Sequence, residues 1–459
     1  MQQMRMEQDS LGKLEVPQDA LYGAQTQRAV DNFPISGQGM PESFIRALIQ
    51  IKDAVAQVNV QLGELPEDIG QAISKACQQL LADAQLMSHF PVDIFQTGSG
   101  TSTNMNANEV IATLASKHSN SAIHPNDHVN YGQSSNDVIP TCIHLSAALA
   151  IHHNLLPALE HLVATITLKA EQVKGLCKTG RTHLMDAMPI RMDQSLLAWA
   201  AQLEQQITNL HNIQPAIQTL ALGGTAVGTG VNAPKGLAAE FNQLLSQQTG
   251  LDFKPADNFF ALMGSQDTAV SVSGIAKSIA VSLMKIANDL RWMNSGPLAG
   301  LAEISLPVLQ PGSSIMPGKV NPVIPEAVAM VAAQVIGNDT AITIGGQSGN
   351  FELNVMLPMI AQNLLSSIAL LSNSSKLLAD KAICNFEVNR QNIEQPLHKN
   401  PILVTALNPL IGYAKAAEIA KQAYQQQRPI IDVAAENTDI PRAQLEQLLD
   451  PLRLTYAEK

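Results

Sequence analysis

Val272-Ser-Gly-Ile-Ala-Lys-Ser-Ile-Ala-Val-Ser-Leu-Met-Lys-Ile-Ala-Asn-Asp-Leu290 carries the plainest structural signal in the chain. Its apolar positions Val272, Ile275, Ile279, Leu283, Ile286 and Leu290 step by 3, 4, 4, 3 and 4 residues, which keeps them on one face of a helix. Leu196, Ala200, Leu203, Ile207 and Leu210 repeat the step, as do Ile360, Leu364, Ile368 and Leu371. Leu155, Leu159, Leu162 and Ile166 begin a fourth stripe just before Pro157. The spacing predicts long bundle helices. Ala and Ser flank the stripes where Lys and Glu are usual, so several helices are expected to bury more than one face, most economically by oligomerisation.

Working outward, the region before the bundle is irregular, with a short alternation at Leu14 and Val16 and polar, Gly- and Asn-rich stretches near 97–108 and 124–137. After the bundle, Gln395-Pro396 and Asn400-Pro401 lead to an Ala-rich helix after Asn408-Pro409, and another follows Asp439 with Pro441 near its first turn. The expected fold is mainly α in three parts: a mostly helical N-terminal domain 1–139, a central long-helix bundle 140–390 and a small helical C-terminal domain 391–459.

Composition narrows the function. Hydrophobic residues make up 46% of the 459 positions, aromatic ones only 4% and charged ones 15%, which suits close-packed helices built on Ala, Leu, Ile, Val and Met. A net charge of −11 and a pI near 5.4 argue against nucleic-acid binding, which needs clustered positive charge. An anionic ligand therefore needs locally placed cations. Cys77, Cys142, Cys177 and Cys384 lack metal or redox spacing and read as reduced, buried thiols. The opening MQQMRMEQDS has no apolar signal core, and no run of about 18 apolar residues is read anywhere, so a soluble, cytoplasmic chain without a membrane partner is expected.

Four polar segments interrupt the apolar pattern. Gly98-Ser-Gly-Thr-Ser-Thr-Asn104 offers hydroxyls for a carboxylate pocket or a cap for a helix. Gln133-Ser-Ser-Asn-Asp137 opens the first bundle helix, where free N–H groups attract anions, and capping explains it equally well. Gly180-Arg-Thr-His183 places an imidazole in a polar turn between helices; a lone histidine is more often a satisfied structural residue than a catalyst, and this setting shifts the balance toward acid–base work. The fourth, Gly312-Ser-Ser-Ile-Met-Pro-Gly-Lys-Val-Asn321, groups hydroxyls, an ammonium and an amide, and Glu326 follows as either a helix-dipole partner or a support for the site.

Other motifs fail on spacing. The 312–321 loop has five residues between its glycines and Val320 after Lys319, so it is not a nucleotide-phosphate loop. His124 and His128 stand four apart, but Pro125 argues against continuous helix there and no metal is expected. Gly224-Thr-Ala-Val-Gly-Thr-Gly230 follows a helical stretch and lacks a βαβ setting, so no dinucleotide is expected. His152-His153 is read as solvated. What remains suits removal of a weakly acidic C–H beside a carboxylate while a group on the next carbon departs. Without metal or cofactor the electron sink is the substrate carboxylate, drawn into an aci-carboxylate by Lys319, Asn321 and oriented N–H donors, each worth about 3 kcal/mol in a dry site.

At these residues the chain resembles the fumarase/aspartase superfamily, and within it class II fumarase. The likeness runs from Arg5, Asp9-Ser10 and Tyr22-Gly-Ala-Gln-Thr-Gln-Arg28 through the four polar segments and Leu222–Gly230 to Asn350-Phe-Glu-Leu-Asn-Val355. It implies that Ser313 abstracts the C3 proton of malate and that His183, backed by Glu326, handles the proton at the departing hydroxyl. It implies that Ser99, Gly100, Thr101, Ser134, Ser135, Asn136, Thr182, Ser314, Lys319, Val320 and Asn321 hold the carboxylates. It also implies a homotetramer with a helical core and sites shared by three subunits, and a second anion site at His124, Pro125, Asn126 and Asp127. Aspartases, which release ammonia on the same scaffold, usually carry Gln where His183 stands and Ala where Gly318 stands, so both residues favour fumarase. Val323–Glu326 and Ile336–Thr340 look somewhat aspartase-like, a pattern some bacterial fumarases share, and Tyr131-Gly132 and Met185 depart from commoner patterns. A non-catalytic crystallin-like role is the remaining alternative, against which the intact Ser313, His183 and Lys319 weigh.

Overall fold

The computed structural model describes residues 3–119 and 121–456. The chain is mainly α, as the stripes predict: Asp267–Met293, Val323–Gln347, Met192–Ile217 and Leu357–Leu378 are long continuous helices. Every stripe residue read from the sequence is buried except Ile207 and Ile275, which are half-buried. Each fully buried Leu or Ile contributes about 1.5–3 kcal/mol, so the stripes hold the helices far more strongly than intrinsic propensity does.

Two compact units form, each from separated segments. The first comprises Met1–Pro157, Thr208–Ala280 and Ala333–Ser372; the second comprises Ala158–Ile207, Val281–Ala332 and Asn373–Lys459. The helix Ser135–Ala150 runs across residue 139, and the helix Arg390–Lys399 opens the C-terminal stretch.

In the first unit, strands Met4–Asp9 and Gly12–Pro17 form an antiparallel hairpin. Arg5 pins the chain that leaves it by donating to the carbonyls of Pro17, Ala20 and Tyr22, and Arg28 grips Asp9 with two bonds of 2.7 and 3.0 Å. In the second unit the C-terminal helices close over Leu403, Leu407, Ile419, Val433 and Leu445.

Several sequence expectations change here. The turn carrying His183 joins two strands, Cys177–Thr182 and Met185–Arg191, and not two helices. Pro125 begins a single helical turn, Pro125–Val129, because its missing N–H costs nothing at a first helical position. The glycine loop follows a two-residue strand, Thr219–Leu220, that pairs in parallel with Lys254–Pro255 across the helix Leu237–Thr249. This is a rudimentary βαβ unit, although more than ten residues part Gly224 from its helix, whereas a dinucleotide fingerprint opens the helix directly. Cys77 and Cys142 are buried, but Cys177 and Cys384 are only partly so. Three helical stretches, Ser135–Gln172, Asp267–Met293 and Val323–Gln347, are long and apolar enough to cross a membrane by length and composition. Ile, Val, Leu and Ala set their average, and polar residues interrupt each stretch.

Candidate active site

In the first unit two helix N-termini meet. Gly100 adopts φ 71°, a left-handed conformation that glycine enters at little cost, and starts the helix Thr101–Ser116. Thr101 Oγ1 lies 2.8 Å from Ser99 Oγ and 2.7 Å from Ser135 Oγ, and Ser135 is the first residue of the helix Ser135–Ala150. Three hydroxyls thus form a chain where two helix macrodipoles present their positive ends. Ser134 is the N-cap, accepting from the Asn136 N–H at 3.2 Å while its own N–H donates to Asp137 at 2.9 Å. Capping and anion attraction, open alternatives in the sequence, coexist here, because the cap uses Ser134 and leaves the Ser135 hydroxyl in the cluster.

Asp137 does more than close the capping box. Its Oδ2 accepts the N–H groups of Gly223 at 3.0 Å and Thr225 at 2.9 Å, and Asn136 Nδ2 donates to the Ala226 carbonyl at 2.8 Å. The glycine loop is therefore fastened beside the hydroxyl cluster. Burial pushes the Asp137 carboxyl up while the three N–H bonds pull it down. In the sequence this role of Asp137 is marked only by the Ser-x-x-Asp capping-box spacing.

In the second unit, Thr182 and Met185 end their strands and His183-Leu184 make the two-residue turn, with φ 56° and 59°. Positive φ at both positions is the I′ geometry that matches strand twist, but it strains residues other than Gly, Asn and Asp. His183 and Thr182 are exposed. The hairpin is anchored at its base by buried Glu303, which pairs with Lys178 and receives Arg181 Nη1 at 2.6 Å. Glu303, Lys178 and Arg181 were not singled out from sequence.

The 312–321 loop ties itself together. The Gly312 N–H donates to the Lys319 carbonyl at 2.9 Å, Asn321 Nδ2 donates to the Gly312 carbonyl at 2.6 Å, and Lys319 Nζ donates to Asn321 Oδ1 at 2.6 Å. Lys319 keeps two further N–H donors beyond that bond. Ser313 Oγ accepts two backbone N–H bonds, from Ile315 at 3.2 Å and Met316 at 3.0 Å. Two such donors favour negative charge on that oxygen. Ser314 and Val320 lie exposed on the same loop.

A cleft of about 960 Å³ opens beside the loop, lined in part by Trp292, Lys319, Val320, Asn321, Glu326 and Asn389. Glu326 sits in the first turn of the helix Val323–Gln347, where its charge meets the positive helix end. Within one chain, no hydrogen bond among the described residues joins His183 to Ser313 or Glu326. His124 caps its turn, with Nδ1 accepting from Asn126 and Asp127 at 3.3 and 3.2 Å, and the exposed Asp127 carboxylate lies 3.3 Å from that nitrogen.

Residues 12–337 match the family described as Lyase, and residues 403–456 match the domain described as Fumarase C C-terminus. The chain thus belongs to the lyase family, in its class II fumarase branch. It is 66% identical to "Fumarate hydratase class II 2" of Pseudomonas aeruginosa over 98% of each chain. It is 56% identical to the class II fumarate hydratase of Xylella fastidiosa over 98% of this chain and 95% of that one. Among solved structures, a recombinant class II fumarase from Schistosoma mansoni superposes with a TM-score of 0.96 at 38% identity, covering 100% of both chains.

Proposed function

We propose that this chain is a class II fumarate hydratase that interconverts fumarate and (S)-malate without a metal or organic cofactor. The observation that carries the mechanism is Ser313 Oγ receiving the Ile315 and Met316 N–H groups. Those donors stabilise an alkoxide, which brings the deprotonated serine within reach as the base that removes the C3 proton of malate. The electron pair moves into the adjacent carboxylate as an aci-carboxylate, whose added charge Lys319 and Asn321 hold. The intermediate collapses by expelling the C2 hydroxyl, to which His183 delivers a proton, leaving fumarate and water. Glu326 supports the protonated imidazole. The Ser99, Thr101, Ser134, Ser135 and Asn136 cluster, with Gly100 shaping its turn and Thr182 and Ser314 beside the reacting groups, binds the substrate carboxylates.

The reading extends to a homotetramer with each site assembled from three subunits, in a soluble protein of the cytoplasm. His183, exposed on its turn, then meets its partners across subunit boundaries. At the second anion site, His124–Asp127, the His124 Nδ1 already accepts the Asn126 and Asp127 N–H groups, which leaves Nε2 as the ring atom for an anion.

An ultraviolet assay offering fumarate, (S)-malate and aspartate side by side tests it, because fumarate absorbs through its conjugated double bond. Interconversion of fumarate and malate with aspartate inert is expected; ammonia release from aspartate with malate inert selects an aspartate ammonia-lyase. Ser313→Ala and His183→Asn should each lower turnover by about 10²- to 10⁴-fold. Near-normal turnover in either variant, with its oligomer intact, removes that residue from its role.

A further inference from the structure

Lys52 lies in the helix Glu42–Gln61, fully buried at 0% exposure, and the mechanism does not use it. A buried ammonium is costly unless its donors are satisfied. Its Nζ donates to Asn130 Oδ1 and Gln133 Oε1, both at 2.9 Å, and both acceptors are neutral amides. Those amides lead directly to the hydroxyl cluster. Asn130 Oδ1 also receives Asn104 Nδ2 at 3.2 Å, and Asn104 lies one turn beyond Thr101 on the helix that starts there. Asn130 Nδ2 donates to the Gln133 carbonyl at 3.2 Å, immediately before the cap residue Ser134. A single ammonium therefore ties together the two helix N-termini whose hydroxyls meet at Ser99, Thr101 and Ser135.

Resting on the fumarate hydratase reading, we propose that Lys52 is a positioning residue for substrate binding, setting the spacing of the two helix N-termini and lending positive potential to the dicarboxylate-binding cluster. It touches no reacting atom, so it governs the affinity of the site more than the chemical step.

The groups that face Lys52 give the expected pH behaviour. Asp137 and Cys142 face it from the helix Ser135–Ala150 and Cys77 from the helix Glu67–Ala82, while Asn104 and the 125–130 turn contribute amides. Burial pushes both thiols well up, so they stay neutral. Burial also pushes the Lys52 amine down to about 7, against the pull of Asp137. The ammonium, and the bonds it orients, are therefore lost as pH climbs through that value.

The test is steady-state kinetics of fumarate hydration by the full-length enzyme and by Lys52→Met and Gln133→Met, from about pH 6 to about pH 9. Gln133→Met removes one of the two acceptors of Lys52, together with the Gln133 Nε2 bonds to the Val129 and Tyr131 carbonyls, while keeping volume and the ammonium, and decides the matter should Lys52→Met not fold. In wild type, KM is expected to rise with pH in this window. At the low end each variant should raise KM about tenfold with kcat much less affected, and Lys52→Met should flatten the pH dependence of KM. An active wild type whose KM is unchanged by Gln133→Met, or variants that lose kcat at constant KM, overturn the positioning role. A wild type inert toward fumarate defeats the substrate reading itself, and this inference with it.

Discussion

His144 sits in the helix Ser135–Ala150, and its Nδ1 lies 2.7 Å from the Thr219 carbonyl, which can only accept, so Nδ1 carries the hydrogen. Burial pushes the imidazole down to about 4 from its ordinary 6.5. The unfolded chain then binds more protons between those values, so this residue's contribution to stability is full above about pH 6.5 and is lost as pH falls toward 4. Denaturant unfolding at about pH 7 and pH 5 should show wild type losing about 2 kcal/mol more than His144→Gln, which keeps a donor but does not titrate. Equal losses would show that His144 is not the acid-sensitive group. At this scale the reactive loop was legible, because Ser313, Lys319 and Asn321 lie within a few residues of one another. Lys52 was legible in principle: Ile45, Leu48, Lys52, Val55 and Asn59 step by 3, 4, 3 and 4, which places a lysine on the buried face of its helix. Glu303 was not, since its partners Lys178 and Arg181 stand far off in sequence and only folding unites them.

Between single residues and the whole chain, the long helices follow their stripes and the alternation at Leu14 and Val16 marks the strand Gly12–Pro17, whereas the hairpin carrying His183 leaves no such mark. Cys177–Thr182 and Met185–Arg191 contain Gly180 and Pro189 and show no apolar alternation, so nothing in their pattern announces a hairpin. Their turn stores strain. Leu184, at φ 59° and 66% exposed, holds a conformation that costs a residue with a Cβ about 1–2 kcal/mol. Leu184→Gly should therefore stabilise the fold by about 0.5–1 kcal/mol after glycine's extra chain entropy is counted, read as a higher denaturation midpoint. The capping box at Ser134 makes the opposite case. Asp137→Ala strips the acceptor from the Ser134, Gly223 and Thr225 N–H groups at once, and each unsatisfied buried donor costs about 1–3 kcal/mol. A loss of several kcal/mol is expected, partly recovered in Asp137→Asn, whose remaining oxygen still accepts. An unchanged midpoint for Asp137→Ala would mean that the glycine loop is held by other means.

For the molecule as a whole, the discontinuous units could not be read from the sequence, because their borders are set by contacts between segments hundreds of residues apart. The expectation of partners rests on Ala and Ser flanking the stripes where a solvated helix would carry charge. The structure puts residues on that expectation: Val281 is 54% exposed, Met330 68% and Ile344 52%, all on the helices Asp267–Met293 and Val323–Gln347. Apolar surface of this kind on long helices is what an assembly buries. Light scattering of the purified protein should give about four times the 49.1 kDa chain mass if the proposed tetramer forms. Met330→Glu combined with Ile344→Glu places carboxylates where apolar contact is proposed, and burying unpaired charge costs several kcal/mol for each group. The doubly substituted chain should keep its helical circular dichroism, dissociate to smaller species and lose turnover with them, because the proposed site draws His183 and Ser313 from different subunits. A dissociated species that still hydrates fumarate at the wild-type rate would show instead that each subunit completes its own site.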